Sequence, residues 1–214
     1  MYKISITAEE IEQLEMRSFP GEIVVVDKQG WTFFKALDYL RRQKVLGFDT
    51  ETKPNFSAQH YHHGVALLQL SGPDKAYLFR VKNLTMYRLL FRVLADKNIV
   101  KVGAAVSDDV RGLQRYCHFE PASFVDLQKI GWEYGIRDKS VKKMTAIILG
   151  FRISKTQQLS NWEADSLSEA QRKYAATDAW VCREMYLKLM ASEKHPLTPE
   201  EINGPQNCNN GKDA

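Results

Sequence analysis

The 214 residues predict an α/β domain built on a mixed sheet flanked by helices, with an antiparallel meander first and strands alternating with helices after it. Three observations lead there. "VALLQLS" and "KAYLFRV" are apolar runs separated only by "GPD", the pattern of a hairpin. Downstream, short β-branched runs alternate with segments of helical period. A 44% hydrophobic content over this length supplies one full core.

Taken in order, residues 7–16 read as a short helix with Thr7 as N-cap. "EIVVVD" (22–27) reads as a strand, "WTFFKALDYLRRQ" (31–43) as a helix, and 45–51 as a strand. The polar loop "TKPNFSAQHYHHG" leads into the hairpin. A helix over 85–95, the strand "IVKVG" (99–103) and a helix over 107–117 follow. A short strand near "SFVDL" precedes helices around 126–134 and 140–149, and a long helix spans about 168–192. The domain is expected over residues 1–193. The remainder, 194–214, ends in "NGPQNCNNGKDA" and is expected to be a disordered tail.

Composition excludes several classes. No apolar run approaches the roughly 18 residues that span a bilayer, and "MYKISITAEEIEQLEM" lacks a signal-peptide pattern, so a cytoplasmic protein with no membrane partner is expected. Cys117, Cys182 and Cys208 lack CxxC spacing and suggest neither zinc nor a disulfide framework. A net charge of +4 permits an anionic partner without identifying one.

The acidic residues carry the chemistry. In "VLGFDTETKP", Asp49 and Glu51 share one face of a strand while Leu46, Phe48 and Thr50 take the other. Two adjacent carboxylates repel; either a strand end in water or a divalent cation resolves this, the latter because hard oxygen ligands suit it. On the long helix, Leu167, Asp178, Val181 and Met185 lie within about 40° of Tyr174, so Asp178 falls on the apolar stripe. A buried carboxylate there needs a salt bridge or a metal. Tyr174, one turn earlier, reaches the same spot. In "VGAAVSDDVRGL", the face of Val106, Val110, Leu113 and Cys117 places Asp109 about 70° from its centre and Asp108 nearly opposite. Asp109 is the inward candidate. Gly103 suits a tight turn or a close backbone approach.

These stretches, with "GVALLQLS", "AYLFRV" and "LSNWEADSLSEAQRKYAATDAW", resemble the DEDDy branch of the DnaQ-like 3′–5′ exonucleases over residues 45 to about 190, and within it the Werner-type exonuclease domains. The resemblance implies an RNase H-like sheet and two divalent ions, Mg²⁺ or Mn²⁺. By that analogy Asp49 bridges both ions, Glu51 and Asp178 complete the first ion's shell, and Asp109 supports the second ion, partly through water. Tyr174 would orient the attacking water, since a phenol with a pKa of about 10 is a poor base at neutral pH. The implied activity is hydrolysis of phosphodiester bonds from the 3′ end of DNA, releasing nucleoside 5′-monophosphates. A ribonuclease D-like exoribonuclease shares the skeleton, and a non-catalytic binding module would keep the fold. The partner in each case is nucleic acid, with a free 3′ end for the enzymes. No helicase motif or added helical domain lies within these residues, which favours DNA.

Other positions are open to bland readings. His60, His62 and His63 form a cluster ill-matched to a hard cation and read as a solvated loop, with contact to a nucleic-acid backbone as the alternative. Thr52 stands where Werner-type members often have Trp, which removes an expected stacking contact. Lys155, Asn161 and Trp162 are the nucleic-acid-binding candidates, Trp162 reading equally well as core. Lys53, Lys142, Lys143 and Arg152 are further phosphate-neutralising candidates.

Overall fold

The computed structural model describes residues 1–54 and 64–203. Its sheet contains β1 (Glu22–Val26), β2 (Val45–Thr52), β3 (Val65–Ser71), β4 (Lys75–Arg80), β5 (Val100–Gly103) and β6 (Phe124–Asp126) in the order β1-β4-β3-β2-β5-β6. β3 is antiparallel to both neighbours, β2 and β4, whereas β1 joins β4, and β5 joins β2 and β6, in parallel. Every strand but β3 therefore runs the same way. The carboxyl ends of β2, β4 and β5 meet along one edge, the usual location of ligand sites in such sheets.

Helices cover both faces. On one, α2 (Trp31–Arg41), α3 (Tyr87–Leu94) and α4 (Val106–Gln114) bring Phe33, Leu40, Phe91 and Leu113 against Leu46, Phe48, Leu68 and Phe79. On the other lie α6 (Val141–Leu149) and α7 (Glu169–Met190). There Ala175 and Ala176 meet Leu67 and Leu78, and Val181 and Met185 meet Val102 and Met144. Covered on both faces, β3 is buried at all seven positions. The mixed meander-plus-parallel sheet flanked by helices is as expected from the sequence.

Local signals explain the helix starts. Ser168 opens α7 with a reciprocal capping box to Gln171, and Ser140 caps α6 through the Lys143 N–H. Thr7 likewise caps α1 (Ala8–Glu12), but this helix ends before the expected residue 16. The Arg152 N–H donates to the Glu15 carbonyl and the Arg17 N–H to the Arg152 carbonyl, drawing residues 15–17 out beside the chain at 152. The helix expected around 126–134 is a single turn, α5 (Leu127–Ile130), continued by a 3₁₀ turn over Gly131–Tyr134.

The expected tail is corrected in its first ten residues. Leu197 is buried, its N–H donates to the Trp132 carbonyl at 2.9 Å, and a short helix, α8 (Pro199–Asn203), follows. Thr198 and Glu201 cap that helix, and the Arg137 guanidinium donates to the Glu201 carbonyl. Apolar burial and satisfied backbone groups hold residues 194–203 to the body. Residues 204–214 lie outside the described residues, as do His60, His62 and His63. No helix among the described residues is long and apolar enough to cross a membrane.

Candidate active site

Two glycines let three elements converge at the end of β2. A Cβ on Gly47 would lie 1.8 Å from the Ala179 carbonyl oxygen, so only glycine admits the α7 backbone this close to the strand. Ala175, Ala176 and Ala179, all fully buried, offer no bulk to hold the helix away. A Cβ on Gly103 would lie 2.7 Å from the Phe48 carbonyl oxygen, and this close turn presents the first turn of α4 to β2. Asp126 accepts from the Ala105 N–H at 3.0 Å and fixes the same turn.

Asp49, Glu51 and Asp178 are the result on the α7 face: each contributes a carboxylate oxygen, and the three oxygens lie within 4.8 Å of one another. Asp109 arrives from the opposite face and is outside that triangle. It accepts a 2.5 Å hydrogen bond from the Thr50 hydroxyl, whose residue separates Asp49 and Glu51. Asp108 is exposed and pairs with Arg111. The helix phase thus places Asp109 inward and Asp108 in solvent.

Electrostatics of the cluster follow from burial and crowding. Burial, then the charges of Asp178, Glu51 and Asp109, holds the Asp49 carboxyl well above the ordinary carboxylate range. Burial and the Asp178 and Asp109 carboxylates push Glu51 up to about 9. Burial raises Asp178 to about 7 against the opposing pull of the Tyr174 hydroxyl and the Lys155 ammonium. Burial lifts Asp109 to about 6, less than it would without the Thr50 hydroxyl. Four carboxyls that resist ionising together are stabilised as anions by positive charge placed among them. The donor set is all oxygen, which suits a hard divalent cation. Asp49, Glu51 and Asp178, with Asp109 beside them, therefore fit such ions.

Tyr174 is buried, and its hydroxyl lies within hydrogen-bonding reach of Asp178. Burial and the Asp178 and Glu51 carboxylates raise its pKa further, so it stays protonated. Its ring also lines a cavity of about 340 Å³ shared with Arg17, Ser154, Thr156 and Lys173. Neither Lys173 nor the approach of residues 16–18 carried any signal in the sequence.

The nucleic-acid candidates separate. Lys155 is exposed in the loop before α7 and acts on Asp178, and Asn161 is exposed, its side-chain oxygen accepting from the Glu163 N–H. Trp162 takes the core position that its sequence equally allowed: it is fully buried, its ring centroid 6.0 Å from that of Tyr174, so it supports the tyrosine from within the core. Lys142 and Arg152 pair with Glu12, and Lys143 with Asp138, which ties them to the body. Arg80, nearly buried, donates to the carbonyls of Ala164 and Asp165 and anchors the loop leading into α7.

Comparison with known proteins bears on this site. The sequence model of the 3′–5′ exonuclease family matches residues 32–192. DNA polymerase I of Aquifex aeolicus is 29% identical over 170 residues, covering 78% of this chain and 28% of that protein. The bifunctional 3′–5′ exonuclease/ATP-dependent helicase WRN of Mus musculus is 30% identical over 187 residues, covering 83% of this chain and 13% of that protein. This chain thus spans less than a third of each of these relatives. Among solved structures, the Aedes aegypti Nibbler EXO domain superposes with a TM-score of 0.70 at 23% identity, covering 82% of this chain and 91% of the other. Escherichia coli RNase D superposes with a TM-score of 0.69 at 23% identity, covering 80% and 44%. These structures share the fold, and the match over residues 32–192 establishes that the chain belongs to the 3′–5′ exonuclease family.

Proposed function

We propose that this chain hydrolyses phosphodiester bonds from the 3′ end of DNA, dependent on two divalent ions, Mg²⁺ or Mn²⁺, and releases nucleoside 5′-monophosphates. The observation that carries the reading is the convergence of Asp49, Glu51 and Asp178 within 4.8 Å on one face of β2 with Asp109 at its other face. When bound, the ions supply Lewis-acid chemistry, activating a water and stabilising the departing 3′ oxygen.

The residues of the chain hold and orient the reactants. Asp49, on which the charges of Asp178, Glu51 and Asp109 all act, would be shared between the ions; Glu51 and Asp178 would help hold one and Asp109 the other. The Tyr174 hydroxyl donates toward Asp178, which leaves its oxygen lone pairs to accept from the attacking water. Its raised pKa supports positioning rather than proton abstraction. As the water oxygen bonds to the terminal phosphorus, the bond from phosphorus to the penultimate 3′ oxygen breaks. The water loses a proton and the 3′ oxygen gains one. Lys155, near Asp178 and exposed, would offset phosphate charge, and Asn161 would contact the strand from the same loop.

The DNA assignment is supported by the DNA polymerase I relative. Ribonuclease D of Gluconacetobacter diazotrophicus, 28% identical over 80% of this chain, favours RNA as the second reading. Incubating 5′-labelled single-stranded DNA, recessed DNA and matched RNA with Mg²⁺, Mn²⁺ or EDTA tests both. A ladder shortening from the 3′ end of DNA, absent in EDTA and in Asp49→Ala, is expected. Faster shortening of RNA would reverse the substrate assignment, and a folded Asp49→Ala with full activity would remove the metal assignment.

A further inference from the structure

Gln69 is fully buried in β3, and neither its Oε1 nor its Nε2 has a hydrogen-bond partner among the described residues. An amide in that position gives up its hydration with nothing in return, whereas an apolar side chain of the same length would not. The register shows what stands opposite. In the antiparallel β2–β3 pair Gln69 faces Asp49, so the two side chains project from the same side of the sheet with Cβ atoms about 4.5–5.5 Å apart. Across the other ladder Gln69 faces Leu78, which belongs to the apolar cluster of Leu67, Ala175 and Ala176. Of its two cross-strand neighbours, only Asp49 carries an acceptor. One Asp49 oxygen already accepts from the Thr50 N–H at 2.9 Å, which holds the carboxylate from the strand side.

We propose that Gln69 is a positioning residue for the metal site: the Gln69 Nε2 donates to the Asp49 carboxylate in the metal-loaded protein and fixes the orientation in which that carboxylate would hold an ion. The inference rests on the proposed function. It also explains a polar side chain at the centre of a strand that is otherwise apolar apart from its terminal serine. Partners that hydrogen-bond a metal ligand in this way contribute about 10–100-fold in metal affinity.

The test is calorimetric titration of Mn²⁺ into the full chain, with thermal melts in EDTA, for the unsubstituted protein, Gln69→Met, Gln69→Leu and Asp49→Ala. Mn²⁺ binding that Asp49→Ala abolishes and Gln69→Met weakens about 10–100-fold is expected. The melting temperature of Gln69→Met and Gln69→Leu in EDTA should be unchanged or higher, because the orphaned amide is gone. Undiminished Mn²⁺ affinity in Gln69→Met, with binding still dependent on Asp49, overturns the inference and leaves the proposed function standing. A lower melting temperature or a failure to fold in both variants overturns it as well, since Gln69 would then be bonded within the fold. Absence of any Asp49-dependent Mn²⁺ binding in the unsubstituted protein overturns the proposed function, and the inference with it.

Discussion

Replacing Gly47 with Ala tests how the site is assembled. The added methyl would sit 1.8 Å from the Ala179 carbonyl oxygen and 2.5 Å from its carbon, where side-chain carbons do not come closer than 3.0 Å. Relief of the first contact alone, from 1.8 to 3.0 Å, requires α7 to withdraw from β2 by at least 1.2 Å. Both atoms are backbone, so no rotamer change absorbs the clash. Overpacking of this kind costs about 1–3 kcal/mol. Asp178 directly precedes Ala179, so the withdrawal carries it away from Asp49 and Glu51. A displacement of about 1 Å in a positioned group costs about 100-fold in rate. Urea denaturation should show a lower midpoint at unchanged slope, and 3′-end cleavage in Mg²⁺ should fall by about that factor. A variant within about 0.5 kcal/mol of the original stability and with full turnover would refute the argument that this contact sets the position of Asp178.

Three further outcomes follow from the same geometry. Asp109→Asn should reduce cleavage severely and Asp108→Asn hardly at all, because only Asp109 faces Thr50 and the cluster; equal losses in the same assay would contradict the assignment. Metal-free protein should lose stability from about pH 5 to about pH 9. The folded state keeps protons on Asp109, Asp178 and Glu51 up to about 6, 7 and 9, whereas the unfolded chain releases them near 4, so the folded state binds more protons in that window. Melts in EDTA that are flat or rise over that range would contradict it, and added Mn²⁺ should reverse the loss. Lys101, fully buried with its ammonium donating to the Asp96 and Ile99 carbonyls, is pushed down by burial to about 8. The unfolded chain therefore binds the extra proton between pH 8 and 10, and stability should rise across that window relative to Lys101→Met. Parallel pH profiles for the two proteins would count against it.

Much of the fold was legible because it rests on short-range pattern. Apolar runs broken by "GPD" specify the β3–β4 hairpin, and Ser168 with Gln171 marks the start of α7. The 3.6-residue period placed Asp178 on the buried stripe and separated Asp109 from Asp108. The rest depends on contacts between distant segments. Gly47 looks like an ordinary strand residue until α7 packs on it. Thr50 falls on the face away from Asp49, and only the arrival of α4 on that face gives its hydroxyl the Asp109 partner. Trp162 beside two polar residues reads equally as a stacking surface or as core, and α7 decides by covering it. α1 is cut short by pairing with residue 152, and Leu197 is held by Trp132, neither of which leaves a mark in local periodicity. Gln69 resembles the polar half of an alternating strand until helices cover both faces.

The most direct test of the two-ion account is anomalous scattering from crystals of this protein grown with Mn²⁺ and a nucleoside 5′-monophosphate. The account predicts two peaks, one enclosed by Asp49, Glu51 and Asp178 and a second between Asp49 and Asp109. Peaks away from these carboxylates, or a single peak that Asp49 does not touch, would contradict it.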